Sequence, residues 1–379
     1  MHFKIGLMKA EETGCNNHYN ISMFMKKSIY IFLVFLILLA CQNEKSEVQI
    51  LLKEPVFVDV KYENLRINGL PNFFYGHTHC IFENYLLLFQ ETPFERYYLI
   101  DLDAQTLIGA FGEEDGPNKV NHPYCNCQLI KEGKAHFTIL NDGGEDHVMF
   151  QINDGEKTSR FFRKKITSKN INILPTSTVY LSEDRKHLFG FNSEKTSVFN
   201  LDLNTNNVDL VSTGPDLKIN TDRITRSNIF FARTALSRDG KLFGIAYCYF
   251  NLIEIYDSKF NLLQAISIGK PSKEIPKIYE GGADEDSKYY TGFIVWGKNN
   301  IYLPYHFRDI KTINSSRESM KIVIINLKNH EIKGINIPIA ISKFTVDEKE
   351  NYLYATTEDD SNKDGNLIRI NLRGLNEKE

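Results

Sequence analysis

The chain has 379 residues, with 45 Lys and Arg against 48 Asp and Glu and a formal net charge of −3. So even a balance implies no strong electrostatic partner, and the sequence shows neither a basic stripe nor a motif for nucleic acid. Aromatic residues make up 12% of the chain, which with the β-branched residues suits a strand-rich fold.

Residues 1–24 contain Glu11 and Glu12 ahead of a basic pair. Export signals rarely carry such a leader, so this stretch is read as a mis-assigned start or a disordered leader, with Met25 as the true first residue. Lys26 and Lys27 form a positive n-region, and residues 28–40 are an uncharged run. That run is too short for a bilayer, which takes about 20 apolar residues, and fits the h-region of a secretory signal. Leu38-Leu39-Ala40-Cys41 then matches the bacterial lipobox.

Residues 25–40 are accordingly expected to be a lipoprotein signal peptide. Cys41 is the expected lipid attachment, because a thioether needs a thiol at the new N-terminus. The competing readings are a signal peptide that contains a cysteine by chance and a short buried helix; order, length and flanks favour the lipobox. Residues 41–50 read as the lipidated N-terminus and tether, with residues 42–47 polar. Gln42, rather than Asp, follows the cysteine. By resemblance to lipoprotein sorting rules this argues against inner-membrane retention, so the expected location is the outer membrane, facing the periplasm or the outside. The lipid bilayer is thus an expected partner.

Residues 51–375 show almost no helical periodicity. Short apolar runs alternate with Asp, Asn, Gly and Lys. One phrase, a strand ending in Asp or Asn followed by a polar turn and a strand, occurs at Asp101, Asp202, Asp257 and Asn326. A second, a strand followed by a Ser-x-Asp turn, occurs at Ser182-Glu183-Asp184 and Ser237-Arg238-Asp239-Gly240-Lys241, with a looser copy at Asp347. They recur at intervals of roughly 45–70 residues, at or above the length of a four-stranded blade. The expected fold is all-β, a β-propeller of six blades with seven as the alternative. Two β-sandwiches would explain the strands but not the ordered alternation of turns.

The lipobox, the propeller pattern and Ala110-Phe111-Gly112-Glu113-Glu114-Asp115-Gly116-Pro117-Asn118 together resemble the six-bladed propeller lipoproteins of Gram-negative gut-type bacteria. Those often carry a G-x-x-G-x-G-P phrase there, from which this sequence departs by Glu113-Glu114-Asp115. Much of that group is uncharacterised, so the resemblance implies fold and location rather than activity.

Chemistry-bearing motifs are few. Nucleophile elbow, Walker loop, zinc-protease and dinucleotide signatures are all missing from the sequence. Gly143-Gly144-Glu145-Asp146 has the wrong order for a cyclase. Asp360, Asn362 and Asp364 fit the opening of a calcium loop, D-x-N-x-D-G, but Asn371 stands where the last acidic ligand belongs; a plain hairpin loop is the favoured reading and calcium the alternative. No other cofactor is expected. His77 and His79 are placed on one strand face, with His122, His136, His147 and His306 scattered. Cys125 and Cys127, like Cys80 and Cys248, read as ordinary half-buried thiols rather than a bridge or metal site. Trp296 and the tyrosines of residues 288–296 are either a stacking surface or the packed strand of a blade, with packing favoured. The function expected is a membrane-anchored binding module for a protein, peptide or glycan, more so than an enzyme; the alternative is a hydrolase or lyase acting on glycans or peptides.

Overall fold

The computed structural model describes residues 49–376 apart from 71–74, 93–95, 113–135, 142–145, 154–155, 166–178, 183, 185, 216, 218, 272–273, 280–281, 316–318 and 358–365. The Cys41 anchor, the calcium-loop residues Asp360, Asn362 and Asp364, the Cys125 and Cys127 pair, and His122 all lie outside these residues. So do the side chains of His77, His79, His136 and His147.

The fold is a mostly-β propeller with five blades of four or five strands arranged in a ring. Three short strands come first: β1 (Gln49–Leu52), β2 (Phe57–Asp59) and β3 (Tyr62–Asn64). Blade A is the meander β4 (Tyr75–Phe82), β5 (Tyr85–Thr92), β6 (Arg96–Asp101) and β7 (Thr106–Gly112). A three-stranded sheet follows, from β8 (His136–Asn141), β9 (Asp146–Asn153) and β10 (Glu156–Lys165), with β10 against β7. Blade B holds β11 (Val179–Leu181), β12 (His187–Asn192), β13 (Ser197–Asp202) and β14 (Val208–Ser212). Helix α1 (Arg223–Ile229) leads into blade C, built of β15 (Ala232–Leu236), β16 (Leu242–Tyr247), β17 (Ile253–Asp257) and β18 (Leu262–Ile268). The chain then makes β19 (Ile278–Tyr279), β20 (Gly282–Ala283) and β21 (Lys288–Tyr289) before blade D. Blade D contains β22 (Val295–Trp296), β23 (Asn300–Pro304), β25 (Met320–Asn326) and β26 (Ile332–Ile337). Between β23 and β25 lie β24 (Arg308–Asp309) and helix α2 (Ile310–Ser315). Blade E is β27 (Ile341–Val346), β28 (Tyr352–Thr357) and β29 (Leu367–Asn371), followed by α3 (Arg373–Asn376).

The first three strands complete the ring. β1 adds in parallel to β18, β2 in parallel to β26, and β3 antiparallel to β29. The chain then bridges Asn68 to Thr106 of blade A. A single stretch of about twenty residues thus runs along the outer edges of four successive blades, and β3 supplies the fourth strand of blade E. At the inner edge β4 packs on β27, β27 on β22 and β22 on β15. The Thr78 hydroxyl donates to the Lys343 carbonyl at 3.1 Å, tying the first blade to the last.

Apolar faces between blades form the core. Phe191 and Val198 of blade B meet Phe243, Ile245 and Tyr256 of blade C. Ile253 and Ile266 of blade C meet Ile301 and Val323 of blade D. Ile322 and Ile335 meet Phe344 and Ile368 of blade E, and Tyr354 and Leu367 meet Leu86 and Ile100 of blade A. Blades C, D and E are thus each covered on both faces, which a single open sheet could not achieve.

Both repeated turn phrases work through their first polar side chains. Oδ1 of Asp101, Asp202 and Asp257, and that of Asn326, each accepts two backbone N–H groups of its own turn. In the other phrase the Ser237 hydroxyl donates to Asp239 at 2.8 Å and accepts from the Leu242 N–H at 2.9 Å. Ser182 does the same with Asp184 and His187. The side chain substitutes for missing ladder partners, which is why Ser, Asp and Asn recur there.

Candidate functional site

The meander order separates the two ends of the ring. Turns joining the first strand to the second, and the third to the fourth, lie at one end, so both repeated phrases fall there. Entry into the first strand and the link from second to third lie at the other. We call these the turn end and the loop end.

The turn end is tight and cross-linked. Arg238, in the β15–β16 turn of blade C, donates through Nη2 to the Val346 carbonyl of blade E, bypassing the blade between them. Glu348, Cys80, Asp347 and Glu350 surround it. A side chain thus links two non-adjacent blades at that end.

The loop end is elaborated on blades C and D. All described secondary structure between β14 and β29 that belongs to no blade, namely α1, β19, β20, β21, β24 and α2, interrupts the connections 213–231, 269–294 and 305–319. Long, ordered insertions confined to one end of a rigid scaffold are where binding groups tend to lie.

A backbone ladder joins these connections across the two blades. Cys248 N–H donates to the Phe231 carbonyl at 2.9 Å, Tyr290 N–H to the Cys248 carbonyl at 2.8 Å, and His306 N–H to the Tyr290 carbonyl at 3.1 Å. β21 pairs with β24, setting Tyr289 opposite Arg308. The ladder brings together Arg233, Cys248, Tyr249, Tyr289 and His306, residues far apart in sequence.

The side chains form a connected cluster. Tyr249 and Tyr289 meet edge to face with centroids 5.8 Å apart. The Tyr289 ring lies 5.4 Å from the His306 ring. Tyr289 also hydrogen-bonds the Cys248 thiol. The exposed Arg233 guanidinium rests over the Phe231 ring, 4.7 Å from its centroid, a cation–π contact that holds the planar head in place. Gly292 packs against the cluster without a side chain. A Cβ there would stand 3.3 Å from the Tyr289 hydroxyl and 3.8 Å from His306 Nε2.

Electrostatics fix the protonation states. Burial, reinforced by the Arg308 cation, pulls His306 down to about 4, so its imidazole is neutral near pH 7. Burial pushes the Cys248 thiol up to about 11, and the Tyr249 and Tyr289 phenols rise for the same reason. None of these groups is poised to exchange a proton near neutral pH. What the cluster offers is hydrogen-bonding groups, ring faces and one open guanidinium.

The site cuts across the sequence expectations. Among the histidines, His306 joins the cluster. For His77 the backbone pairs with Phe89, and the ladder shifts register between Thr78 and Cys80. The tyrosine-rich segment divides. Trp296 is buried and donates from Nε1 to the Ala235 carbonyl at 3.0 Å, and Tyr290 packs edge-on against Phe307, whereas Tyr289 belongs to the site. Cys80 and Cys248 are free thiols. Among the described residues no group of three or more His, Cys, Asp or Glu could hold a metal ion. Arg233 and Tyr249 went unnoticed in the sequence; the widened spacing between turn phrases around residues 213–231 and 269–294 was the available signal.

A second buried polar group lies between blades B and C. Glu254 accepts from Tyr256 at 2.8 Å, from Tyr247 at 3.0 Å and from the Gly214 N–H at 3.0 Å. Burial raises its pKa against these bonds. It is fully enclosed and faces a packed interface, so it stabilises blade packing rather than meeting a ligand.

No protein-family model matches the sequence, and no curated protein matches it. Solved structures do. The chain is similar to a Bacteroides fragilis NCTC 9343 protein described as a putative exported protein, with a TM-score of 0.54 and 12% identity over 85% of this chain and 98% of that one. It is similar also to a member of the DUF4221 family from Bacteroides vulgatus ATCC 8482, with a TM-score of 0.53 and 11% identity over 84% of this chain and 98% of that one. At such identities the likeness is one of fold.

Proposed function

We propose that the chain is an exported lipoprotein whose propeller binds a ligand at the loop end of blades C and D, with the bilayer held through Cys41. The observation that carries the binding reading is the Arg233–Tyr249–Tyr289–His306 cluster, an exposed guanidinium beside half-buried rings and hydrogen-bonding groups, with no proton-transfer group near neutrality. Few convergent polar groups on an aromatic floor are characteristic of ligand sites.

The lipobox at Cys41 supports the anchor, and the exported description of the Bacteroides fragilis protein is consistent with an extracytoplasmic location. Counting β8–β10 as a blade gives six, the number the turn spacing leads one to expect. Outer-membrane placement rests on Gln42 after the cysteine.

Binding is tested by titrating the full chain in detergent with a panel of oligosaccharides and short peptides. Binding that Tyr249→Ala and Tyr289→Ala each weaken about tenfold or more, with unchanged melting temperature, supports the reading. Binding indifferent to both substitutions overturns it.

A further inference from the structure

Arg233 differs from the other arginines of blade C and its surroundings. Arg238 donates to Val346, Arg226 to Ile219 and Thr196, and Arg223 pairs with Glu194. Among the described residues Arg233 has neither an ion pair nor a hydrogen bond. Its one fixed contact is the Phe231 ring beneath it. The guanidinium is thus positioned while its donor fork stays open, a geometry matched to a planar anion.

The neighbouring field has the same sign. Arg233 acts electrostatically on Cys248, Tyr249 and Tyr289, and Arg308 acts on His306. Cys248 and the tyrosines are held protonated, so they add no negative charge near neutral pH. Arg233 is the cation that an arriving anion meets, while Arg308 has Asp309 beside it in β24.

Near the open fork stand the half-buried Tyr249 and Tyr289 rings and a neutral imidazole, with Gly292 against the Tyr289 phenol and His306. Ring faces accept the C–H face of a sugar, and the phenol and imidazole suit its hydroxyls. Resting on the loop-end binding reading above, we propose that the ligand is a carboxylated sugar, its carboxylate held by Arg233 and its ring by Tyr249 and Tyr289.

The test titrates the full chain in detergent with a trigalacturonate, the neutral trigalactoside and a sugar phosphate, at two salt concentrations. The expected result is about tenfold tighter binding of the trigalacturonate than of the neutral sugar at low salt, narrowing as salt rises. Arg233→Ala, with unchanged melting temperature, removes that preference, and Arg233→Lys restores only part of it, because an ammonium lacks the fork. Neutral and acidic sugars binding equally, or a preference that survives Arg233→Ala, overturns this inference and leaves the loop-end site standing. Preference for the sugar phosphate over the trigalacturonate overturns the carboxylate assignment. Binding of none of the sugars, together with binding of none of the peptides in the earlier panel, overturns the site itself.

Discussion

Glu350 of blade E reaches across to blade D and accepts the Asn300 Nδ2 at 2.7 Å, while its other oxygen takes the backbone N–H groups of Asn299 and Asn300, each at 3.2 Å. Glu350 occupies the place that Gly240 fills in the corresponding turn of blade C, and both have positive φ. A non-glycine residue is strained there, on the order of 1 kcal/mol. The three bonds across the interface offset that cost. Glu350→Ala keeps the strain and loses the bonds, so it is expected to destabilise the chain by about 2–4 kcal/mol in urea unfolding. Glu350→Gly relieves the strain and should cost less. Equal stability of the wild-type chain and the alanine variant would show the bridge to be incidental.

Glu254 gives the fold a pH dependence of known sign. Its folded pKa is raised by burial, so the folded chain holds that proton more tightly than the unfolded chain does. The associated stability is present below the unfolded glutamate value and declines as pH rises through the folded one. Glu254→Gln should flatten the urea midpoint across that window. An unchanged pH slope in the variant would assign the dependence to other groups.

His306 acts in the opposite direction. Its pKa falls from 6.5 to about 4, so the unfolded chain binds the proton more readily. Stability from this site is present above the unfolded value and is lost as pH falls from about 6.5 toward about 4. His306→Asn should remove that loss, and ligand binding should be flat between about pH 6.5 and 8. A binding curve with a midpoint near pH 6.5 would contradict a buried neutral imidazole.

The edge strap is expected to decide whether the ring closes. β1, β2 and β3 make four, three and three registered pairs with blades C, D and E. A chain beginning at Leu65 loses all of them, about 5 kcal/mol or more at roughly 0.5–1.5 per hydrogen bond, and bares three strand edges. It should unfold at markedly lower urea than a chain beginning at Glu44 and aggregate more readily. Matching midpoints would mean that the ring closes without it.

The anchor is tested separately. Cys41→Ser should move the protein from the carbonate-washed membrane fraction to the soluble one. Full retention on the membrane would remove the lipid assignment while leaving the propeller untouched.

The repeating part of the fold was readable because its turns are local chemistry. Asp101, Asp202, Asp257 and Asn326 bond backbone groups two to four residues away, so each phrase carries its own cause. The strap was not readable, since β2 and β3 are three residues each and their partners stand hundreds of positions away. The site was legible only in pieces. His306 and Tyr289 stood out by type, but the ladder Phe231–Cys248–Tyr290–His306 is made of backbone groups, to which any sequence is silent. Arg233 carries no signal of its own in the sequence, since its distinction is a side chain without a polar partner among the described residues.

The central claim is that ligand meets the loop end of blades C and D. Amide hydrogen exchange on the full chain, with and without a saturating amount of whichever panel compound binds tightest, tests it directly. The account predicts slowed exchange at residues 231–233, 248–249, 289–292 and 306–308, with none at the turn-end segments 237–242 and 347–352. Protection confined to those turn-end segments would contradict it.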